Sequence, residues 1–352
     1  MAARPPRSKP KANKGTASRV LAELPSRMAT VVPKGMVRVG TMREALPVLR
    51  ELGVEPADVL SEFGIQESYL DDADNMLPYV ILGMFLTRCA DRTGCPHFGL
   101  LCGQRLTTSN LGAVGFLSQS ARDLRSSLNQ LARFFRFHNP NAAMELIEDG
   151  ELASWRFSLL MPRLDGREQI LDGALANALQ TMRKLFGPQW QPVEANLARA
   201  EPVDRRPYAR LFGRSVRFNQ PATELVFAAH WLDAPLPTAD AALHEAMLKR
   251  LRELELAGPE DLASQVRRML PSLIGAHAAS IEVVANLIGL SGRTFTRRLA
   301  AEGTTYLRLR EEARHVAACQ LLEGTQLPAN EVSDRLGYSN PSAFTRAFRR
   351  WS

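Results

Sequence analysis

The sequence predicts an α+β N-terminal domain followed by an all-α C-terminal domain that carries two helix-turn-helix units joined by a long helix. Three observations carry this expectation. A short string of residues recurs near the C-terminus, a 3.6-residue apolar period dominates most of the chain, and an Asp-Gly pair separates two alternating runs in its middle.

The recurring string reads Val284, Ala285, Ile288, Gly289, Leu290, Ser291, Phe295, Thr296, Arg297, Leu299. It returns as Val332, Ser333, Leu336, Gly337, Tyr338, Ser339, Phe344, Thr345, Arg346, Phe348. The offset is 48 residues up to the serine and 49 beyond it, so the second copy holds one extra residue past its turn. In the first copy Ile281, Val284, Ala285 and Ile288 fall on one helical face. Gly289 suits the left-handed residue that closes a helix, and Ser291 suits the cap of the next one. That helix, Gly292 to about Ala301, turns Phe295 and Leu299 inward and leaves Arg293, Thr296 and Arg297 outward.

In the second copy Val332 and Leu336 face inward, Gly337 makes the turn, Ser339 caps, and Pro341 occupies the first turn, where its missing N–H costs nothing. Phe344 and Phe348 pack, while Asn340, Ser342, Thr345 and Arg346 stay outward. The second helix of such a unit presents its N-terminal side chains to a DNA major groove, so these seven outward residues are the candidate DNA-binding set. A helical hairpin with solubilising arginines is the plain alternative for one copy; its tandem repetition argues against it. Between the copies, Tyr306 to about Leu322 reads as a helix with Leu307, Ala313, Ala317, Leu321 and Leu322 on its apolar side. At 1.5 Å per residue it spans roughly 25 Å, enough to hold two recognition helices about one DNA turn apart, roughly 34 Å.

Together, Ile281 to Gly289, Ser291, Arg293, Arg297, Leu299, the Ala301-Glu302-Gly303 run and above all Gly337 to Trp351 (GYSNPSAFTRAFRRW) resemble the DNA-binding domain of the AraC/XylS family of bacterial transcription regulators. The resemblance implies a sequence-specific regulator that binds double-stranded promoter DNA, works with RNA polymerase and favours activation over repression. The family pattern continues past that tryptophan with a glycine, a proline and a closing helix, whereas this sequence ends at Ser352. The last turn of the second recognition helix is therefore expected to fray.

With 352 residues, 45% hydrophobic and 23% charged, the chain has room for two cored domains. No apolar run approaches the length of a membrane span and no apolar leader segment opens the sequence, so the expected location is the cytoplasm, at the nucleoid, with no membrane partner. A net charge of +7 favours acidic partners, nucleic acid first. Residues 259–352 hold 12 Arg, no Lys and 9 acidic residues, a small local excess, and Arg outnumbers Lys over the chain as a whole, as a coding bias alone would give.

Residues 1–35, rich in Pro, Ser, Lys and Arg, read as a disordered basic tail. From Thr41 helices dominate: Ala45, Leu46, Leu49 and Leu52 share a face, Val59, Leu60 and Phe63 another, and Val80 to Cys89 continues the core, followed by Leu111–Leu117 and Leu124–Phe137. A hairpin is expected over Ala143–Ile147 and Leu152–Leu159 around Asp149 and Gly150. A helix over Gln169–Phe186 and short strands near Val193–Ala198 and Val216–Phe218 complete a domain of residues 36–232. Pro235, Pro237 and the polar stretch to Asp240 read as a hinge, and a helix from Ala241 to about Leu256 completes a hinge-and-linker segment, 233–257, before a DNA-binding domain at 258–352.

Leu111–Phe116 (LGAVGF), Arg214–Asn219 (RSVRFN) and Asp233–Asp240 (DAPLPTAD) are similar to the N-terminal arabinose-binding-type domain of the branch of the same family represented by ornithine- and arginine-utilisation regulators. That similarity implies a domain that senses a small-molecule effector and forms a homodimer.

Enzymatic motifs are missing: no HExxH, P-loop, dinucleotide fingerprint or Ser/His/Asp order occurs, so the chain reads as a non-enzyme without cofactor. An enzymatic or purely structural N-terminal half is the alternative. Cys89, Cys95, Cys102 and Cys319 have neither disulfide nor zinc spacing, and no metal site is expected. Within Phe134–Pro140 (FFRFHNP), Arg133, Arg136, His138 and Asn139 form a candidate ligand-binding cluster for an anionic effector; a solvated helix end is the plainer reading.

Overall fold

The computed structural model describes residues 31–72, 75–161, 163–256, 261–275, 279–324, 328–338 and 340–351. The first strand, β1 (Met36–Arg38), leads into helix α1 (Gly40–Glu51), which buries Met42, Ala45, Leu46, Val48 and Leu49. Helix α2 (Pro56–Ser61) opens on a proline, and strand β2 (Met76–Pro78) returns to pair antiparallel with β1, Val37 opposite Leu77. Helix α3 (Tyr79–Thr93) stops at Gly94, where φ is +62°. Helices α4 (Phe98–Gly103), α5 (Ala113–Ser120) and α6 (Leu124–Phe134) follow, the last capped by Asp123, which accepts from the Ser126 N–H.

Strands β3 (Ala142–Asp149) and β4 (Leu152–Leu159) form the hairpin, with Gly150 at φ +61° in its turn. Helix α7 (Arg167–Phe186) precedes β5 (Glu194–Asn196), helix α8 (Arg206–Phe212), β6 (Val216–Arg217) and β7 (Thr223–Ala228). The sheet order is β3-β4-β7-β5-β6, antiparallel except for the β5–β6 pair. Alternation along β4 sends Ala153, Trp155, Phe157 and Leu159 into the core, where α7 packs on β4 and β7 with Leu171, Leu175, Leu179 and Met182 buried. Helices α4 and α7 cross almost backbone to backbone. A Cβ on Gly99 would stand 2.1 Å from the Gln169 carbonyl oxygen and one on Gly103 2.1 Å from that of Gly173, so no larger side chain fits at this crossing.

Helix α9 (Ala241–Leu256) and the preceding prolines depart from the expected hinge and linker. Leu236 is buried, its N–H donates to the Arg122 carbonyl at 3.1 Å, Thr238 donates to the Gln119 carbonyl, and Met247 and Leu251 of α9 join the N-terminal core. Pro235 and Pro237 thus lie in a segment held along the α5–α6 connection, and α9 packs on the N-terminal core. Residues 31–35, expected to belong to a disordered basic tail, are ordered against the N-terminal domain. Residues 1–30 lie outside the described residues, but Val32 is 2% exposed and its N–H donates to the Phe137 carbonyl at 3.2 Å.

The C-terminal part is all helical: α10 (Leu262–Gly275), α11 (Ile281–Ile288), α12 (Gly292–Ala301), α13 (Tyr306–Gly324), α14 (Ala329–Arg335) and α15 (Pro341–Trp351). Its core gathers Val266, Met269, Leu270 and Leu273 of α10 with Val284, Phe295, Leu299, Leu309 and Phe344. The β1–β2 ribbon lies between the two cores. Met36 and Met76 belong to the C-terminal core, and Val37 and Leu77, one residue along each strand, to the N-terminal one.

Candidate nucleic-acid interface and effector cavity

Each helix-turn-helix is assembled from local chemistry. Ser280 caps α11 by accepting from the Val283 N–H, Gly289 ends it at φ +77°, and Ser291 caps α12 by accepting from the Thr294 N–H. In the second unit Gly337 turns at φ +69°, and the Asn340 side chain accepts from the Ala343 N–H at 2.8 Å. The cap of α15 is therefore Asn340 where Ser339, outside the described residues, was expected. Pro341 at the first helical position fixes this frame, and the extra residue of the second copy falls within the turn.

The buried side of α12 is Phe295 and Leu299; that of α15 is Phe344 and Ala347, with Phe348 partly buried. Arg293, Thr296 and Arg297 are exposed on α12, and Asn340, Ser342, Thr345 and Arg346 at and along α15. Thr296 and Thr345 hold the same conformation: each hydroxyl donates to the carbonyl four residues back, Gly292 and Pro341 respectively, at 2.9 Å. Arg349, one turn beyond Arg346 on the same face and also exposed, extends this candidate surface and is not among the seven residues expected from the sequence. Among the described residues Arg293, Arg297, Arg346 and Arg349 make no ion pair, whereas Arg308, Arg314, Arg335 and Arg350 each pair with a glutamate.

The second unit is held to α13. Arg314 donates to the Gly337 carbonyl at 3.0 Å and its guanidinium lies 4.5 Å from the Tyr338 ring centre. Helical structure runs through Trp351, as far as the described residues go, and the Trp351 ring stands 5.3 Å from that of His315.

A cavity of about 370 Å³ lies in the N-terminal domain between α3, α6, α7 and the sheet. Leu82, Leu128, Trp155, Phe157, Ile170 and Phe227 form much of its wall. The four candidate ligand residues separate here. His138 and Asn139 line the cavity, but Arg133 and Arg136 point outward and both bind Glu255 of α9. The two arginines occupy the exposed side of the last turn of α6 and the turn after it, and the partner that claims them is too distant in sequence to have been foreseen. Burial and the nearby Arg38 push the His138 imidazole down to about 3, so it is neutral. Asn139 donates to the Tyr79 hydroxyl at 3.3 Å, and burial raises that phenol to about 12. Behind α7, Asp172 accepts from Arg199 and from the Tyr208 hydroxyl, and burial raises its carboxyl to about 6. Burial likewise raises the Cys89 and Cys102 thiols well above their ordinary value, as core side chains. Among the described residues no group of three or more His, Cys, Asp or Glu is placed to hold a metal, and no helix is long and apolar enough to cross a membrane.

Two capped recognition-type helices with exposed arginine faces, braced by one long helix, define a double helix-turn-helix DNA-binding protein. The chain belongs to the AraC-type transcription regulators. Residues 53–236 match the family described as the arabinose-binding domain of AraC transcription regulator, N-term, and residues 284–352 match a helix-turn-helix domain family. It is 28% identical over 319 residues to the ornithine utilization regulator of Pseudomonas aeruginosa, covering 90% of this chain and 94% of that one. It is 26% identical over 318 residues to the HTH-type transcriptional regulator VirS of Mycobacterium tuberculosis, covering 90% and 94%. A crystal structure of the transcriptional regulator CdpR from Pseudomonas aeruginosa aligns with a TM-score of 0.42 at 23% identity, covering 88% of this chain and 94% of that one.

Proposed function

We propose that this transcription regulator is controlled by a small molecule held in the N-terminal cavity, and that it reads DNA through Arg293, Thr296 and Arg297 of α12 and Asn340, Ser342, Thr345 and Arg346 at and along α15. The observation that carries effector control is a hydrogen-bonded route from the cavity wall to the first helix-turn-helix. Asn139, in the wall, accepts from the Asn141 N–H at 3.0 Å. Asn141 in turn accepts from the Gly35 N–H and donates to the Met36 carbonyl, both at 2.7 Å. Gly35, at φ +81°, lies so close to α11 that a Cβ on it would meet the Leu287 carbonyl oxygen at 2.3 Å. A ligand that shifts Asn139 thereby acts on the backbone against which α11 rests, which is the differential contact that control by an effector requires.

Family membership further supports reading the protein as an activator that works as a homodimer with RNA polymerase at the nucleoid. Dimerisation would multiply the affinity of two DNA-binding units through effective concentration. The test is a reporter driven by an operator recovered by in vitro selection on the purified chain. The wild type should change reporter output when metabolite extracts are supplied, and Ala174→Phe, which fills the cavity from α7, should abolish the change while gel-shift affinity persists. A response unaffected by Ala174→Phe overturns control through this cavity, and a selection that yields no preferred sequence overturns specific DNA reading.

A further inference from the structure

Resting on the effector-cavity reading above, we infer that the cavity takes an uncharged, largely apolar molecule carrying a hydrogen-bonding group, and not an amino acid or other fully ionised metabolite. The wall is the first reason. Besides the leucines and aromatic rings it includes Met144, Met182 and Leu225, a lining that gains most from displacing water with hydrocarbon.

The polar groups are the second reason. Asn177 Nδ2 and His138 Nδ1 both belong to lining residues, are buried, and have no hydrogen-bond partner. A buried polar atom without a partner is costly, and a ligand that supplies one recovers that cost. Asn177 Nδ2 is a donor, so it calls for a carbonyl, ether or hydroxyl oxygen. His138 is a neutral imidazole, donor or acceptor by tautomer, so it accepts an N–H or O–H or gives one without needing a counter-charge.

Charge is the third. Among the described residues the lining holds no Asp or Glu, so an ammonium group would enter unpaired. Asp172, the buried carboxylate on α7, is already engaged by Arg199 and Tyr208 and is not part of the wall. A carboxylate would find among the described lining residues only Lys184, an exposed side chain near the end of α7 that keeps its own water, and would be stripped of water along the remaining apolar wall. An isolated ion pays heavily for that transfer, whereas a single amide or hydroxyl loses much less and regains it from Asn177 and His138.

The experiment uses the full-length chain and four probes of graded charge: 4-phenylbutanamide, 4-phenylbutyrate, 4-phenylbutylamine and L-ornithine, the amino acid in the name of one relative. Binding is read by titration calorimetry and by thermal shift. The amide is expected to bind at least about tenfold more tightly than either ionised congener, and L-ornithine to give no shift. Asn177→Leu should bring the amide down towards the charged congeners, and Ala174→Phe, with Ala174→Leu as the milder filling should the larger ring prevent folding, should remove binding. Equal or tighter binding of an ionised probe, lost in the filled variant, overturns the ligand class and leaves the effector cavity standing. Binding by none of the four overturns the ligand class too, and the reporter response of Ala174→Phe then decides separately whether the cavity reading falls with it.

Discussion

Asn141 satisfies two backbone groups of one neighbour pair at once: its Oδ1 accepts from the Gly35 N–H and its Nδ2 donates to the Met36 carbonyl, both at 2.7 Å. Asn141 is buried, so neither backbone group has water to fall back on. Asn141→Ala should therefore destabilise the chain by about 1–3 kcal/mol. The loss should concentrate at the ribbon. Amide exchange should accelerate at Gly35 and Met36 and through residues 281–288, with α4 and α7 unaffected. Uniform acceleration across both domains would mean that Asn141 acts only through global stability and has no part in joining them.

Arg297 and Arg346 occupy equivalent places in the two units, one turn along a helix whose first turn is capped by Ser291 and Asn340. Replacing either with Ala should cost about 1–3 kcal/mol of binding at its own half of the operator and relax the base preference there. Arg349→Ala, closer to the far end of α15, should weaken binding to all sequences alike and flatten the salt dependence, as loss of a phosphate contact does. Base-by-base competition in gel shifts at two salt concentrations separates the two behaviours. A uniform loss for Arg297→Ala would reassign that residue to the phosphates.

The two helix-turn-helix units were legible in the sequence because every device in them is local: a four-residue apolar face, a glycine just past it, an oxygen-bearing cap. The Asp149-Gly150 hairpin was legible for the same reason. Strands β1 and β2 were not, since three residues are too few to show a period of two, and their pairing joins segments separated by α1 and α2. Helix α10 escaped too. Its N-terminus is completed by a distant side chain: Glu302 accepts from the Leu262 and Ala263 N–H groups at 3.0 and 2.8 Å. The Ala301-Glu302-Gly303 run was visible as a pattern, but what its glutamate holds is a tertiary fact. In the cavity, His138 and Asn139 stood out by their setting, while the roles of Arg133 and Arg136 depended on Glu255, far along the chain.

Arg314 joins α13 to the turn of the second unit through the Gly337 carbonyl and the Tyr338 ring. Gly337 needs its positive φ to make that turn, so its carbonyl direction is fixed and the guanidinium meets it without strain. Arg314→Ala should loosen α14 and α15 relative to α11 and α12. Arg314→Lys should recover only part of the loss, because an ammonium group cannot stack on the ring and reach the carbonyl with one planar fork. Hydrogen exchange over 329–335 and 341–351 reads the effect directly. Equal protection of both units in Arg314→Ala would show that packing of Phe344 and Phe348 alone holds the second one.

Acid should expose the neutral state of His138. Burial and Arg38 hold its imidazole near 3 in the folded chain, below the ordinary value of 6.5. The unfolded chain therefore takes up a proton first as pH falls. Stability from this group is fully present above about pH 6.5 and is lost as pH drops from there towards 3, at no more than about 1.4 kcal/mol per pH unit. Asp172 works in the opposite sense. Its carboxyl, raised to about 6 from 3.8, binds a proton in the folded state before the unfolded one, so its penalty is relieved as pH falls from 6 towards 4. The two slopes offset one another between those limits, and wild-type melting alone will not separate them. His138→Phe removes the imidazole and keeps a ring in the cavity wall. Urea titrations at pH 7.5 and pH 5 should show a smaller acid loss in His138→Phe than in the wild type. The same acid loss in both would mean that His138 is charged in the folded chain at pH 5, and the neutral lining on which the ligand class depends would be wrong at that position.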